Sequence, residues 1–168
     1  MRLLALVLVL VFGAPPPDVT TLVAFSLRLM PLAPGAGDGA MLHRMAIAGA
    51  CVEATTDRAE RYLCMKIPRY EALYREDVAA CEVRGRAGEV TSWQILPRTA
   101  AERGRLCRSF TGDARVAIER IRESRAACRS LPIPEQLALY ARGDCASAEG
   151  RKLSRVRWAY EGEIRGLE

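Results

Sequence analysis

The stretch Arg69–Pro97, RYEALYREDVAACEVRGRAGEVTSWQILP, decides how the chain is read. It opens as a helix-like run bearing Glu71, passes Cys81, breaks at Gly85 and Gly88, and ends in Trp93-Gln94-Ile95. Two glycines so close together predict a turn or short hairpin whose backbone takes dihedrals other residues avoid. Just upstream, Leu63, Ile67, Tyr70 and Tyr74 recur at helical spacing and share one face. Glu71 falls beside that stripe, at the margin of an apolar surface. Desolvation there disfavours the charged carboxylate and raises its pKa, which suits a proton donor at neutral pH. Pro68 allows two readings. Inside the helix it removes a hydrogen bond and kinks the axis; at a helix start it leaves Glu71 in a first turn, where the dipole favours ionisation.

The flanks of this stretch read as helices. Leu42, Met45, Ala46, Gly49 and Val52 mark an amphipathic first helix ending near Asp57, which is a good N-cap for the second. His43 beside that stripe is expected at a surface or boundary position. Val90–Leu96 reads as a short strand or a turn, and Thr99–Leu106 as a short helix. Ala114, Ala117, Ile118, Ile121 and Cys128 form a core stripe capped by Asp113, with arginines outside it. Pro134 and Gly143 bracket a short helix in PEQLALYARG, the usual asymmetry of proline at the start and glycine at the end. Leu153, Val156 and Tyr160 mark a last, basic helix. Strand signals are scarce, so the fold class is mostly α, and 168 residues suit a single domain.

Charge and cysteines narrow the setting. The formal net charge is +5, arginine supplies most of the excess, and the pI is about 9.1. That balance suits an anionic polymer or surface. No nucleic-acid-binding motif of recognisable spacing accompanies it, so nucleic acid is not an expected partner. The six cysteines, Cys51, Cys64, Cys81, Cys107, Cys128 and Cys145, form no CxxC pair, and one histidine gives little support to a zinc site. No metal and no cofactor is expected. Wide spacing of this kind means disulfides in an exported protein and buried thiols in the cytosol.

The beginning of the chain bears on that choice. Met1-Arg2 precedes LLALVLVLVF, and small residues and prolines follow at positions 13–17. This pattern predicts a signal peptide over 1–17 and an exported, periplasmic or extracellular protein. The alternative is an anchor extended by VTTLVAFSL, although Asp18 and the prolines interrupt such a span. Residues 18–39 then form a linker or extra helix, and the folded domain occupies 40–168.

Four pieces stand in order: RYEALYREDV, the glycine turn running into GEVTSWQILP, the helix ending in Cys128, and LALYARGDC. Together they resemble the lysozyme-like lytic transglycosylase superfamily. In that family a helix carries a Glu-Ser pair, a glycine loop leads to a Met-Gln or Trp-Gln pair, and a Tyr-Asn-x-Gly-like element follows a long helix. The similarity spans about Ala46 to Tyr160, and Glu71 precedes Gln94 by 23 positions. The resemblance implies a disulfide-stabilised, lysozyme-like helical domain that cleaves the β-1,4 bond between amino sugars of peptidoglycan, as a monomer. Glu71 takes the role of catalytic acid, Gln94 and Trp93 lie on the substrate groove, and Tyr140 is the aromatic near the acid. Ala72, Ala141 and Pro68 depart from the pattern: the first two replace a serine and an asparagine.

Hydrolysis requires a second carboxylate to activate water, whereas a lytic transglycosylase uses one acid that later serves as base. Glu76, Asp77 and Glu82 read as solvated charges; Glu89, in the turn, is the second-carboxylate candidate and a groove residue. The alternative function is a non-catalytic lysozyme-like module that binds or scaffolds the wall. Position along the chain favours disulfides Cys51–Cys64, Cys81–Cys107 and Cys128–Cys145.

Overall fold

Chain positions 38–70 and 84–158 are described by the structure, a computed structural model. Within them the order is α1 (Asp38–Ala54), α2 (Arg58–Tyr70), α3 (Ala100–Arg105), α4 (Phe110–Ala127), a 3₁₀ turn (Ile133–Glu135), α5 (Ala138–Arg142) and α6 (Ala148–Trp158). No strand occurs among the described residues; Val90 and Ile95 form one isolated antiparallel bridge. The protein is a mostly helical, disulfide-bonded single domain. Glu71, Ala72, Tyr74, Glu76, Asp77, Cys81, Glu82, Tyr160 and the expected signal segment lie outside the described residues.

Helix α2 is the hub. Asp57 caps it, its Oδ1 accepting from the Glu60 amide at 2.8 Å. Every side chain from Glu60 to Pro68 is buried, so the helix runs through the core. At its start Arg122 of α4 donates to both Glu60 oxygens, at 2.7 and 2.8 Å. The guanidinium holds the Glu60 carboxyl below its usual pKa. The Thr55 hydroxyl, in the α1–α2 corner, also donates to Glu60, at 2.6 Å.

Pro68 lies inside α2, in its last turn, so the alternative of a helix beginning there does not hold. Having no N–H, it leaves the carbonyl four residues back, that of Cys64, without a helical donor. The Trp93 indole N–H fills the vacancy, donating to the Cys64 oxygen at 2.8 Å. Trp93 is fully buried. Helix α2 and the turn that follows the glycines are thereby locked together by a helix irregularity.

Other expectations need correction. On α1 the buried residues are Ile47, Ala48, Ala50 and Cys51, whereas Gly49 is exposed. The helix is apolar nearly all round, so spacing alone does not select its buried side. Helix α4 is capped by Ser109, whose hydroxyl accepts from Gly112 at 3.0 Å. Asp113 sits inside the first turn, buried, and accepts from the Cys107 amide at 2.7 Å. On α6 the inward residues are Gly150, Ser154 and Trp158, while Val156 is 67% exposed. A Cβ on Gly150 would stand 2.9 Å from the Ala138 carbonyl, so the glycine permits the close approach of α5 and α6. The PEQLALYARG segment is a 3₁₀ turn followed by α5, closed by Gly143 at φ 71°.

Two of the expected disulfides are present, Cys51–Cys64 between α1 and α2 and Cys128–Cys145 between the end of α4 and the loop after α5. Cys107 is also disulfide-bonded. Its partner lies outside the described residues.

Candidate functional site

Between the glycine turn and the α4–α5–α6 corner runs an open cleft of about 510 Å³. Glu89, Trp93, Gln94 and Tyr140, from segments 47 residues apart at their nearest contact, all line it. Trp93 contributes from beneath, since its ring is buried and its N–H is engaged by Cys64. Glu71 follows Tyr70 in the chain and is outside the described residues; Ile67, one helical turn before it, lines the cleft.

The turn wall is irregular backbone. The Gly85 amide donates to the Glu89 carbonyl at 2.9 Å, and the Gly88 amide to the Gly85 carbonyl at 3.2 Å. Gly88 has φ 91°, which its missing Cβ permits. Val90 and Ile95 exchange N–H···O bonds of 2.9 Å each, closing a loop with Thr91 at φ 68° and Gln94 at φ 50°. A β-branched residue at positive φ is a genuine outlier, and such strain gathers where a chain holds groups for use. The Gln94 side-chain N–H₂ donates to the Thr91 carbonyl at 3.2 Å, which fixes the orientation of its amide.

Two hydroxyl networks set the opposite wall. The Ser124 hydroxyl donates to the Gln136 carbonyl at 2.8 Å and accepts from the Tyr140 amide at 3.1 Å. Ser154 donates to the Pro134 carbonyl at 2.5 Å and accepts from the Leu137 amide at 3.2 Å. Tyr140 then reaches across the cleft floor, its hydroxyl donating to the Trp93 carbonyl at 2.7 Å, with Trp158 edge-on to its ring at 5.6 Å. The Tyr140 hydroxyl therefore braces one wall against the other. Ala141 also lines the cleft.

Arginines mark the rim. Arg98, Arg120, Arg142 and Arg157 all line the cleft. Arg98 grips Glu123 through two N–H···O bonds, at 3.1 and 2.6 Å. Arg120 pairs with buried Glu102 and with Glu123. The Arg98 guanidinium, ahead of Arg120, holds the Glu123 carboxyl below its usual pKa. Sequence reasoning does not single out this rim, because arginines scattered over four segments form no linear motif.

His43 is half-buried and away from the cleft lining. Its ring meets Phe110 edge-on at 5.2 Å, and its Nε2 lies 3.4 Å from the Ser92 hydroxyl. Burial pushes its pKa down. A serine beside a histidine invites comparison with a nucleophile and its base, but Ser92 is fully buried and no substrate reaches it. Among the described residues no group of three or more His, Cys, Asp or Glu side chains could hold a metal ion, and no helix is long and apolar enough to cross a membrane. No protein family, no curated protein and no solved structure matches the chain.

Proposed function

We propose that this protein is an exported, lysozyme-like enzyme that cleaves the β-1,4 bond between amino sugars of peptidoglycan. One observation carries the reading: Glu89, Gln94 and Tyr140, groove residues by the resemblance, come together along a single open cleft bordered by the last turn of α2. Glu71 is the next residue after that helix's described end. In the proposed reaction Glu71 protonates the leaving oxygen and then takes a proton from the attacking hydroxyl. The disulfides fit an oxidising compartment, and the net positive charge of the sequence fits an anionic wall polymer.

A second reading, a wall-binding module without catalysis, is favoured by Ala141, which offers the cleft only a methyl group where the family pattern has asparagine. Incubating purified sacculi with the mature protein and analysing the released fragments by mass separates the two. Anhydro-sugar ends indicate transglycosylation and reducing ends hydrolysis. Intact sacculi that nevertheless retain the protein indicate the binding module.

A further inference from the structure

Helix α3 contributes no residue to the cleft lining and carries a charge pattern of its own. Of residues 98–106 only Glu102 and Leu106 are buried. Glu102, the one acid of the helix, is committed inside: Oε1 pairs with Arg120 at 2.5 Å and Oε2 accepts from the Arg98 amide at 2.6 Å. Arg103 and Arg105 on α3, and Arg108 in the loop after it, are exposed and form no ion pair among the described residues. Arg98, Arg120, Arg122 and Arg155, by contrast, each grip a carboxylate. The helix dipole favours cations in the last turn, which suits Arg103 and Arg105; Arg108 lies beyond the helix. At about 100° per residue, Arg103 and Arg105 fall on opposite flanks of α3, with Gly104 on the outward crest between them. A Cβ on Gly104 would meet nothing within 4 Å, and its φ is not positive, so neither packing nor backbone conformation requires a glycine there. Glycine weakens a helix relative to alanine. What the bare crest offers is close approach to the backbone. The surface is also held firm. The Thr99 hydroxyl caps α3 by accepting from the Glu102 amide at 3.0 Å, and the Cys107 amide and disulfide fix the loop that carries Arg108.

We infer that Arg103, Arg105 and Arg108, set around the bare crest of Gly104, form a docking surface for a flexible polyol-phosphate chain. Charge and shape select this occupant. Arginines on opposite flanks of a helix are out of reach of one phosphate group. A thin chain laid across the crest brings a phosphate to each flank, and each guanidinium takes one through paired N–H···O bonds. Among residues 98–112 the large apolar side chains are Leu106, which is buried, and Phe110, which is half-buried against His43. Nothing on this surface therefore inserts into a bilayer or stacks on a nucleic-acid base. The surface is separate from the cleft, and its binding does not depend on what the cleft does.

Titration calorimetry of the mature protein with a linear glycerol-phosphate oligomer at low ionic strength tests the surface. The parent should bind, and added salt should weaken binding. Arg103→Gln, Arg105→Gln and Arg108→Gln combined keep a good helix former at each position, and circular dichroism checks that the variant is folded. Together they should weaken binding about tenfold or more. Gly104→Gln should also weaken binding while raising the thermal unfolding midpoint, a pair of effects that a merely structural glycine would not give. As a control, Arg58→Gln, Arg129→Gln and Lys152→Gln remove the same charge from exposed positions on other elements and should weaken binding far less. The surface is wrong if the parent does not bind the oligomer, if the α3 triple variant binds like the parent, or if the control triple loses as much. Tighter binding, at equal phosphate, to phosphatidylglycerol vesicles or single-stranded DNA contradicts the assigned occupant, as does equally tight binding to polyglutamate. None of these results bears on the cleft reading, which digestion of sacculi decides.

Discussion

The two walls of the cleft are held by opposite means. The helical wall, from the 3₁₀ turn through α6, follows local rules: Gly143 ends α5 in the left-handed conformation, and the Ser147 hydroxyl accepts from Gly150 at the start of α6. Serine hydroxyls and the Cys128–Cys145 bridge add redundancy. The turn wall breaks local rules at Thr91 and Gln94, and depends on single distant bonds, Trp93 to Cys64 and Tyr140 to Trp93. The contrast teaches where each wall is vulnerable. Damage to the helical wall should lower stability and spare the cleft's chemistry, whereas damage to the turn wall should reach the binding groups directly.

The largest expected effect is on the helical wall. Replacing Cys128 and Cys145 together by alanine opens a loop of 17 residues, and the chain-entropy model puts the loss at about 3 kcal/mol. Denaturant unfolding should show that loss while binding of the folded protein to purified sacculi stays near the parent value. A comparable fall in binding would erase the distinction between the walls.

An effect of similar size comes from pH and lies in the first turn of α4. Asp113 is buried, with Oδ2 lacking a hydrogen-bond partner, and burial pushes its pKa from 3.8 up to about 6. A raised carboxyl pKa favours the folded state at low pH. Its contribution is complete below 3.8 and is lost as pH rises through about 6. Two pKa units correspond to roughly 3 kcal/mol. Glu60 and Glu123, with lowered pKa values, act oppositely: their contribution is present above the ordinary glutamate pKa and is lost as pH falls through their lower folded values. His43, its pKa lowered by burial, acts with Glu60 and Glu123: it contributes stability above its ordinary pKa of 6.5 that is lost as pH falls, so it opposes Asp113 between pH 5 and 7. In unfolding measured over that range, Asp113→Asn should remove the part of the parent's slope that rises on acidification, shifting the slope toward lower stability at pH 5. An unchanged slope in the variant contradicts the assignment.

Next in size is Trp93→Phe, which keeps an aromatic ring and removes the N–H. The Cys64 carbonyl, already without a helical donor because of Pro68, is then buried and unsatisfied, at about 1–3 kcal/mol. Adding Pro68→Ala restores an N–H in the helix, so the double variant should recover part of the loss. Additive losses would show that the two residues are not coupled. Tyr140→Phe is the mildest change. It removes the brace between the walls and should cost about 1 kcal/mol by thermal unfolding, with binding to purified sacculi weakened more than the Cys128/Cys145 change weakens it.

These differences also explain what could be read from the chain. The Asp57 cap, the core stripe of α4, the Gly143 stop and two disulfide pairs were legible because each depends on residues close in sequence. The groove residues Glu89, Gln94 and Tyr140 could be named, but not the reason they meet. That reason is long-range: a proline frees a carbonyl that a tryptophan 29 positions away must satisfy. Positive φ at Thr91 and Gln94 runs against local preference, so no local rule anticipates it. The cap of α4 is misplaced in the sequence reading for a related cause, since Ser109 and Asp113 are both good cap residues and only the long-range contact with the Cys107 amide assigns Asp113 elsewhere.

The most direct test of the proposed enzyme is Glu71→Gln assayed on purified sacculi. The substitution keeps the size and hydrogen bonding of the side chain and removes its transferable proton. General acid catalysis contributes typically about 10²- to 10⁴-fold, so the expected result is a loss of digestion on that scale in a folded protein that still binds the wall. Digestion at the parent rate by Glu71→Gln would contradict the account.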